Sequence, residues 1–378
     1  MNLGTRGVQE ALDLLEYCNV SGGSKLSDLR RRNGAPELYG IRTWCLGNEM
    51  DGPWQIGHRS AAQYGNLAAQ TGRAMRLLDP KLTLIPCGSS GPDMPTFGAW
   101  EATVLQETYD VVDLISAHAY FREEDGDLAS FLACPVRMDE FIDGVVATVD
   151  SVKASLKQTK RIDIAFDEWN VWYQQAESSQ ATSDSWPFAP HLFEQDYNVA
   201  DAVVVGGLLI ALMRHSDRVA SANLAQLVNV IAPIMTEEHG RAWRQTTFYP
   251  FAQAAKMASG SVLMGKMVAP IVESAKWGDV PMLDAVATHD PERGEMALFI
   301  VNRSIDREVS LRVQTYGALP DHIATATVLC DDDPRRTAQA GSASILRSNH
   351  SAVRRDQGLE IVLPPVSWNV VKLVTDEV

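Results

Sequence analysis

Two stretches of the chain carry the residue types that carboxylate chemistry needs. In the first, the apolar run Ile41 to Leu46 passes into Gly47, Asn48 and Glu49, then a loop with Asp51, Gly52, Pro53, Trp54 and Gln55. In the second, Ile162, Ile164 and Phe166 lead to Asp167, Glu168, Trp169 and Asn170. Each reads as a buried strand that ends by presenting a glutamate in the company of Asn and Trp. A pair of carboxyl groups on one face of a sheet is the apparatus of retaining glycoside hydrolysis. One acid protonates the leaving oxygen and the other carboxylate attacks the anomeric carbon, at a separation of about 5–5.5 Å. Either glutamate alone reads better as a solvated loop residue or ion-pair partner; the matching contexts bring the catalytic reading level with it.

Residues suited to holding a sugar stand nearby. Asn48 would bond a sugar hydroxyl beside the acid, although a lone Asn in such a place also forms turns. Trp54, Trp169 and Trp172 offer faces for stacking on a sugar, against the common use of Trp as core filler. His118 and Tyr120 are alternate residues at the end of the run Val111 to Ala117, so they face one side. One or both would bond the nucleophile; the competing reading of the histidine is a satisfied core residue. Gln226, near the end of the run Arg218 to Leu227, carries the weakest signal. The two glutamates are expected to have pKa values pushed apart, with the acid's raised.

The elements that must position these residues alternate. Val8 to Tyr17 has helical spacing, with Val8, Leu12 and Leu15 on one face. Ser21 to Gly40, which includes Arg30, Arg31 and Arg32, reads as a solvated connection. Ser60 and Gln63 form a capping box that opens a helix ending near Asp79 and Pro80. Leu82 to Cys87 is a short strand and Phe97 to Tyr109 a helix. Phe141, Val145, Val149, Val152 and Leu156 mark an amphipathic helix. Gln174 to Gln195 is a long polar loop with Trp186, Pro187 and Pro190. Val199 to Met213 and Thr246 to Ser259 are further helices flanking the strand from Arg218. Such alternation indicates an α/β chain on a parallel sheet, as a barrel or an open doubly wound sheet. From Val268 the period becomes two: Leu298, Ile300, Val309, Leu311, Val313, Leu359, Ile361 and Leu363 alternate with polar residues. That pattern predicts an antiparallel β-sandwich, with Asp331 to Asp356 as a long exposed excursion.

The 378 residues suffice for one large domain and a smaller one. A formal charge of −15, with no Lys/Arg block, argues against nucleic acid or an anionic membrane as partner and suits a neutral substrate. Cys18, Cys45, Cys87, Cys134 and Cys330 are scattered without CxxC spacing, which indicates a reducing, cytoplasmic setting and no zinc site. The N-terminus lacks a signal pattern, and no apolar run reaches about 18 residues. HExxH, the Walker loop, GxSxG and a GxGxxG leading into a helix are absent. Asp331, Asp332 and Asp333 lack calcium-loop spacing. The chemistry calls for no metal and no cofactor.

At the two glutamates the chain resembles a known family. GNEMDGPWQIGH around Glu49 and DEWNVWY around Glu168 are similar to glycoside hydrolase family 51, the α-L-arabinofuranosidases. The resemblance extends through NLGTRG (Asn2–Gly7), MPTF (Met94–Phe97), LAQLVNVIAPIMTE (Leu224–Glu237) and VSWNVVKL (Val366–Leu373), and so covers essentially the whole chain. It implies a (β/α)8 TIM barrel over residues 1–262, then the β-sandwich over 263–378, and hydrolysis with retained configuration. Carried over, Glu49 matches the general acid/base at the end of the fourth strand and Glu168 the nucleophile at the end of the seventh. Asn48 matches the neighbour that contacts the sugar, and Tyr120 the tyrosine beside the nucleophile, with His118 on the same strand. Gln226 matches the glutamine after strand eight that contacts the arabinose ring. Trp54 and Trp172 stay as stacking candidates. Family members commonly form hexamers.

One departure is large. Family members carry a long segment ahead of the NLGTRG stretch, which supplies sandwich strands and the first barrel strands. The resemblance therefore implies a barrel lacking its first strands, and impaired turnover if residues 1–378 act alone. The implied activity is exo-hydrolysis of terminal arabinofuranosyl groups from arabinan or arabinoxylan oligosaccharides. The alternatives are another retaining glycosidase, such as a β-xylosidase or endoglucanase, or a protein that binds sugar without turning it over.

Overall fold

Short apolar strands and helices alternate through the first two thirds of the chain, as the periodicity predicts. The computed structural model describes residues 1–173, 191–317, 319–341, 344–355 and 358–375. In chain order the elements are α1 (Val8–Asn19), α2 (Lys25–Arg32), β1 (Thr43–Leu46), α3 (Ala61–Leu78), β2 (Thr83–Pro86), α4 (Ala99–Thr108) and β3 (Leu114–Phe121). Next come α5 (Leu128–Ala133), α6 (Pro135–Ser155), β4 (Asp163–Val171), α7 (Val199–Arg214), β5 (Val219–Leu224), β6 (Ile234–Thr236), β7 (Ala242–Arg244) and α8 (Phe248–Met257). The loop expected at Gln174 to Gln195 lies outside the described residues up to position 190. Two units divide the chain: Met1–Ala119, Glu140–Trp169 and Asp217–Asn223 form the first, and Tyr120–Asp139, Asn170–Ser216 and Leu224–Val378 the second.

In the first unit β1 pairs parallel to β2, with Thr43 opposite Thr83 and Leu46 opposite Pro86. Strands β3, β4 and β5 form a second ladder in that order, and among the described residues the two ladders do not join into a closed ring. Helix α3 starts at the expected box: the Gln63 N–H donates to Ser60 Oγ at 3.4 Å and the Ser60 N–H to Gln63 Oε1 at 3.3 Å. The buried stripe of α1 is Ala11, Leu15 and Cys18 rather than Val8, Leu12 and Leu15, because the helix turns that face to α2 and α3.

The stretch read as a solvated connection contains α2, and Arg30 is fully buried in it. Its guanidinium donates to the carbonyls of Tyr17 at 2.8 Å, Val20 at 2.6 Å, Ser21 at 2.9 Å and Ala35 at 3.1 Å. A rigid fork of N–H donors thus closes carbonyls at the end of α1, which a polar composition alone does not reveal.

The second unit holds α5 and the β6–β7 hairpin, neither of which the sequence periodicity indicated, since each is only one or two turns' worth of chain. Helix α7 is buried from Val199 to Leu212, on all sides rather than on one stripe. Gly206 permits this: a Cβ there would lie 2.3 Å from Cε3 of Trp368. The antiparallel strands follow as β8 (Ser261–Leu263), β9 (Ile271–Ser274), β10 (Gly278–Pro281), β11 (Leu283–Asp290), β12 (Glu295–Asn302) and β13 (Val309–Gln314). The last are β14 (His322–Leu329), β15 (Leu346–Ser348), β16 (Val353–Arg355), β17 (Gly358–Leu363) and β18 (Ser367–Val374).

Six strands form one sheet in the order β15-β14-β18-β12-β11-β8, and β13-β17-β16 form another. Leu298, Ile300, Val371 and Leu373 of the larger sheet share a core with Leu359, Ile361 and Leu363 of the smaller. Strand β13 alternates as expected, whereas β12 is buried on both faces because α7 packs on its far side. The excursion predicted from Asp331 is not wholly exposed: apolar Ile345 is buried beside β15, which pairs with β14. No helix among the described residues is long and apolar enough to cross a membrane.

Candidate active site

Strand β1 ends at Leu46, and the buried Tyr64 hydroxyl clamps that end. It donates to the Leu46 carbonyl at 2.6 Å and accepts from the Cys87 N–H at 2.7 Å, locking the ends of β1 and β2 together. The chain then turns sharply. Gly47 sits at φ +109°, where a Cβ would come within 3.0 Å of Met50 Cγ, and Glu49 itself takes φ +44°. Strain of this kind persists where neighbouring structure enforces it, commonly at functional sites. The Gly52 N–H closes the turn on the Glu49 carbonyl at 2.9 Å. The indole of Trp54 lies against Gly52, where a Cβ would meet Cε2 at 2.4 Å, and its Nε1–H donates to Glu49 Oε2 at 2.6 Å.

Strand β3 supplies the hub. His118 Nδ1 lies 3.0 Å from Glu49 Oε1 and 3.6 Å from Glu168 Oε2, while Nε2 lies 3.3 Å from Asp167 Oδ1. Ser116, two residues earlier on the strand, donates to the same Asp167 oxygen at 2.6 Å, and the Cys45 thiol to the other at 3.3 Å. One oxygen of Glu49, one of Glu168 and a nitrogen of His118 all lie within 4.8 Å of one another. Strand β4 runs through Asp167, Glu168, Trp169 and Asn170 to Val171, so Glu168 stands near the strand's C-terminal end, as the sequence indicates.

The electrostatics follow from this packing. Burial of the His118 ring would lower its pKa, but hydrogen bonds to Asp167 and Glu49 and the charge of Glu168 outweigh it and push the value to about 10. With a carboxylate at each nitrogen, the ring is an imidazolium that donates both ways. Burial would raise Glu49, yet the bonds from His118 and Trp54 and the histidine's charge hold it below its ordinary value. The expectation of a raised acid is therefore overturned, since Glu49 is held low. Asp167 is likewise held low against burial, by His118, Ser116 and Cys45. Burial and then Asp167 push the Cys45 thiol up to about 12, so it stays a neutral donor. Glu49, His118 and Glu168 also form a donor set of the size a divalent cation takes. His118 would ligate a cation there only after giving up the Nδ1 proton that it shares with Glu49.

The other sequence candidates fall as follows. Asn48 is exposed beside Glu49, and Trp54 is 58% exposed. Trp169, one of the stacking candidates, is fully buried, so packing wins there. In the second unit Tyr120 meets Trp172 edge-on at 4.9 Å, and Trp172 meets Phe193 at 5.6 Å. Gln226 is exposed, and its N–H donates to the Ile231 carbonyl at 3.2 Å. Buried Asn170 donates to the carbonyls of Ala225 and Ile231, which fixes the backbone on either side of that glutamine. Sequence reasoning missed the parts played by Asp167, Ser116 and Cys45. The one available signal was Ser116 standing two residues before His118 on a strand, and hence on the same face.

Comparison with known proteins bears on this geometry. Residues 4–133 match the model described as "Alpha-L-arabinofuranosidase 1 domain", and residues 167–367, more than half the chain, match "Alpha-L-arabinofuranosidase C-terminal domain". An exo-α-(1→6)-L-arabinofuranosidase of Bifidobacterium longum is 49% identical over 98% of this chain and 73% of its own length. This chain belongs to the α-L-arabinofuranosidases of glycoside hydrolase family 51. An intracellular exo-α-(1→5)-L-arabinofuranosidase of Streptomyces lividans is 51% identical over 98% of this chain. Here the chain spans only 56% of the relative's length. Among solved structures, a family 51 α-L-arabinofuranosidase from Bifidobacterium longum superposes with a TM-score of 0.93 at 41% identity, covering 99% of this chain and 75% of that one. The arabinose complex of the Thermotoga maritima α-L-arabinofuranosidase gives 0.83 at 28% identity, covering 99% and 74%. The fold is thus the mixed α/β fold of family 51, with parallel strands and a C-terminal antiparallel sheet. The resemblance read in the sequence is borne out.

Proposed function

We propose that this family 51 chain is a retaining, exo-acting α-L-arabinofuranosidase that releases terminal arabinofuranosyl groups from arabinan or arabinoxylan oligosaccharides. The observation that carries the reading is the approach of Glu49 and Glu168 to within 4.8 Å about His118, the close spacing of a nucleophile and acid/base pair. In the first step a Glu168 oxygen attacks the anomeric carbon as the glycosidic bond breaks, and Glu49 gives its proton to the departing oxygen. In the second, Glu49 takes a proton from water as the water oxygen attacks the same carbon. The ester bond to Glu168 breaks and both carboxyl groups return to their starting states. Two inversions retain the configuration.

His118 keeps the charge of the pair defined, Asn48 bonds a sugar hydroxyl, and Trp54 stacks on the portion that leaves. Tyr120, Trp172 and Gln226 contact the arabinose ring. The parallel strands are proposed to belong to a (β/α)8 barrel over residues 1–262, followed by a sandwich over 263–378, in a cytoplasmic hexamer. Relatives whose names include the word intracellular support the location. Glu168→Ala should abolish hydrolysis of an aryl α-L-arabinofuranoside, and unchanged hydrolysis would refute the assignment. A panel of aryl glycosides separates this activity from β-xylosidase or endoglucanase action.

A further inference from the structure

The turn that carries Glu49 and Trp54 holds a carboxylate to which this mechanism gives no task. Asp51 reaches to the loop that follows β2, where its Oδ2 accepts from the Ser90 N–H at 3.0 Å and the Ser90 hydroxyl at 3.2 Å. That loop is itself immobilised. The Ser89 N–H donates to Glu101 Oε1 at 2.7 Å and the Gly98 N–H to Glu101 Oε2 at 2.8 Å. A Cβ on Gly88 would fall 2.0 Å from the Ser116 carbonyl, so loop and β3 are in direct contact. Asp51 therefore moors the Glu49 turn to a rigid support. Its other oxygen is buried with no hydrogen-bond partner among the described residues. A buried, unpaired carboxylate oxygen is costly, and each such group in a native structure calls for an explanation.

We propose that Asp51 is a positioning residue for general acid catalysis: through Ser90 it holds the Glu49–Trp54 turn so that Glu49 can deliver its proton to the departing oxygen. The inference rests on the reading of Glu49 as the acid. It makes a prediction that a purely structural role does not. A dinitrophenolate leaves without a proton, whereas an alkoxide leaves poorly without one. The test compares kcat/KM on dinitrophenyl and methyl α-L-arabinofuranosides for the wild type, Asp51→Ala, Asp51→Asn and Glu49→Ala.

Asp51→Ala should lose about 100-fold on the methyl substrate, the scale of a 1 Å misplacement, and far less on the dinitrophenyl one. Asp51→Asn keeps an acceptor for Ser90 and should recover most of the loss. Equal losses on both substrates would overturn the proposal, as would an unchanged rate on the methyl substrate. Should Asp51→Ala not fold, Ser90→Ala removes one of the two bonds and must show the same dependence on the leaving group in smaller degree; no dependence overturns the proposal. Glu49→Ala is the control for the underlying reading. If its loss is equal on both substrates, Glu49 is not the acid; if only the Asp51 variants lack the dependence, that reading stands and the role of Asp51 falls.

Discussion

Replacing His118 with phenylalanine tests the electrostatic centre of the site. The side chain is only 6% exposed and faces Glu49, Asp167 and Glu168. Its pKa is about 10 in the folded protein, against about 6.5 in an unfolded chain. A raised folded-state value means that the folded protein holds the proton more tightly. The resulting stabilisation is complete below about pH 6.5 and is lost as the pH rises towards 10. The slope is about 1.4 kcal/mol per pH unit, so between pH 7 and 8.5 the wild type should lose about 2 kcal/mol that the variant never had. Asp167 keeps Ser116 and Cys45 as donors, and Glu49 keeps Trp54, so the variant retains much of the network. Urea unfolding of both proteins across this range, read as the difference in free energy, cancels the groups they share. That difference should narrow by about 2 kcal/mol. A constant difference would mean that His118 is neutral when folded, and the account of a lowered Glu49 would fall with it.

Three further substitutions probe the supports of the fold and site. Gly52→Ala places a Cβ into the Trp54 indole and should break its bond to Glu49. A bond to a charged group is worth about 1.5–3 kcal/mol, so urea unfolding should report a loss of about that size, and an unchanged free energy of unfolding would mean that the bond contributes nothing. Arg30→Met strips the carbonyls of Tyr17, Val20, Ser21 and Ala35 of their donor. It should cost about 3 kcal/mol or more in urea unfolding, since buried acceptors left unpaired cost about 1–3 kcal/mol each. Gly206→Ala drives a methyl into the Trp368 ring. Overpacking of this sort should lower stability by about 1–3 kcal/mol, read by the same unfolding assay.

The sequence made the two glutamates legible because each ends an apolar run, and periodicity is a local property. The support of His118 was not legible, because it is assembled across the chain: Cys45 and Asp167 are 122 positions apart, and Ser116 and Asp167 are 51. No spacing rule joins such partners. The end of β4 was legible, and Asp167 can stand within the strand because its charge is met by groups from β1 and β3. Arg30 shows a different limit. Its composition reads as solvent-facing, yet its donors match a ring of backbone carbonyls that exists only once α1 has ended. In the sandwich, alternation read β13 correctly and misread β12, because a helix distant in sequence covers the second face.

A lowered Glu49 is compatible with its task as the proposed acid, and the geometry indicates how. Two of the groups that hold it low are His118 and Trp54, and Trp54 is exposed, as its proposed stacking on the portion that leaves requires. A sugar that takes up the indole withdraws one donor and excludes water, and both changes raise the carboxyl's proton affinity. Glu168, sharing His118 with it, adds a like charge that acts in the same direction. Once Glu168 has become an ester that charge is gone, and the imidazolium is left facing Glu49 and Asp167. On the proposed mechanism this loss of like charge favours Glu49 as the base of the second step.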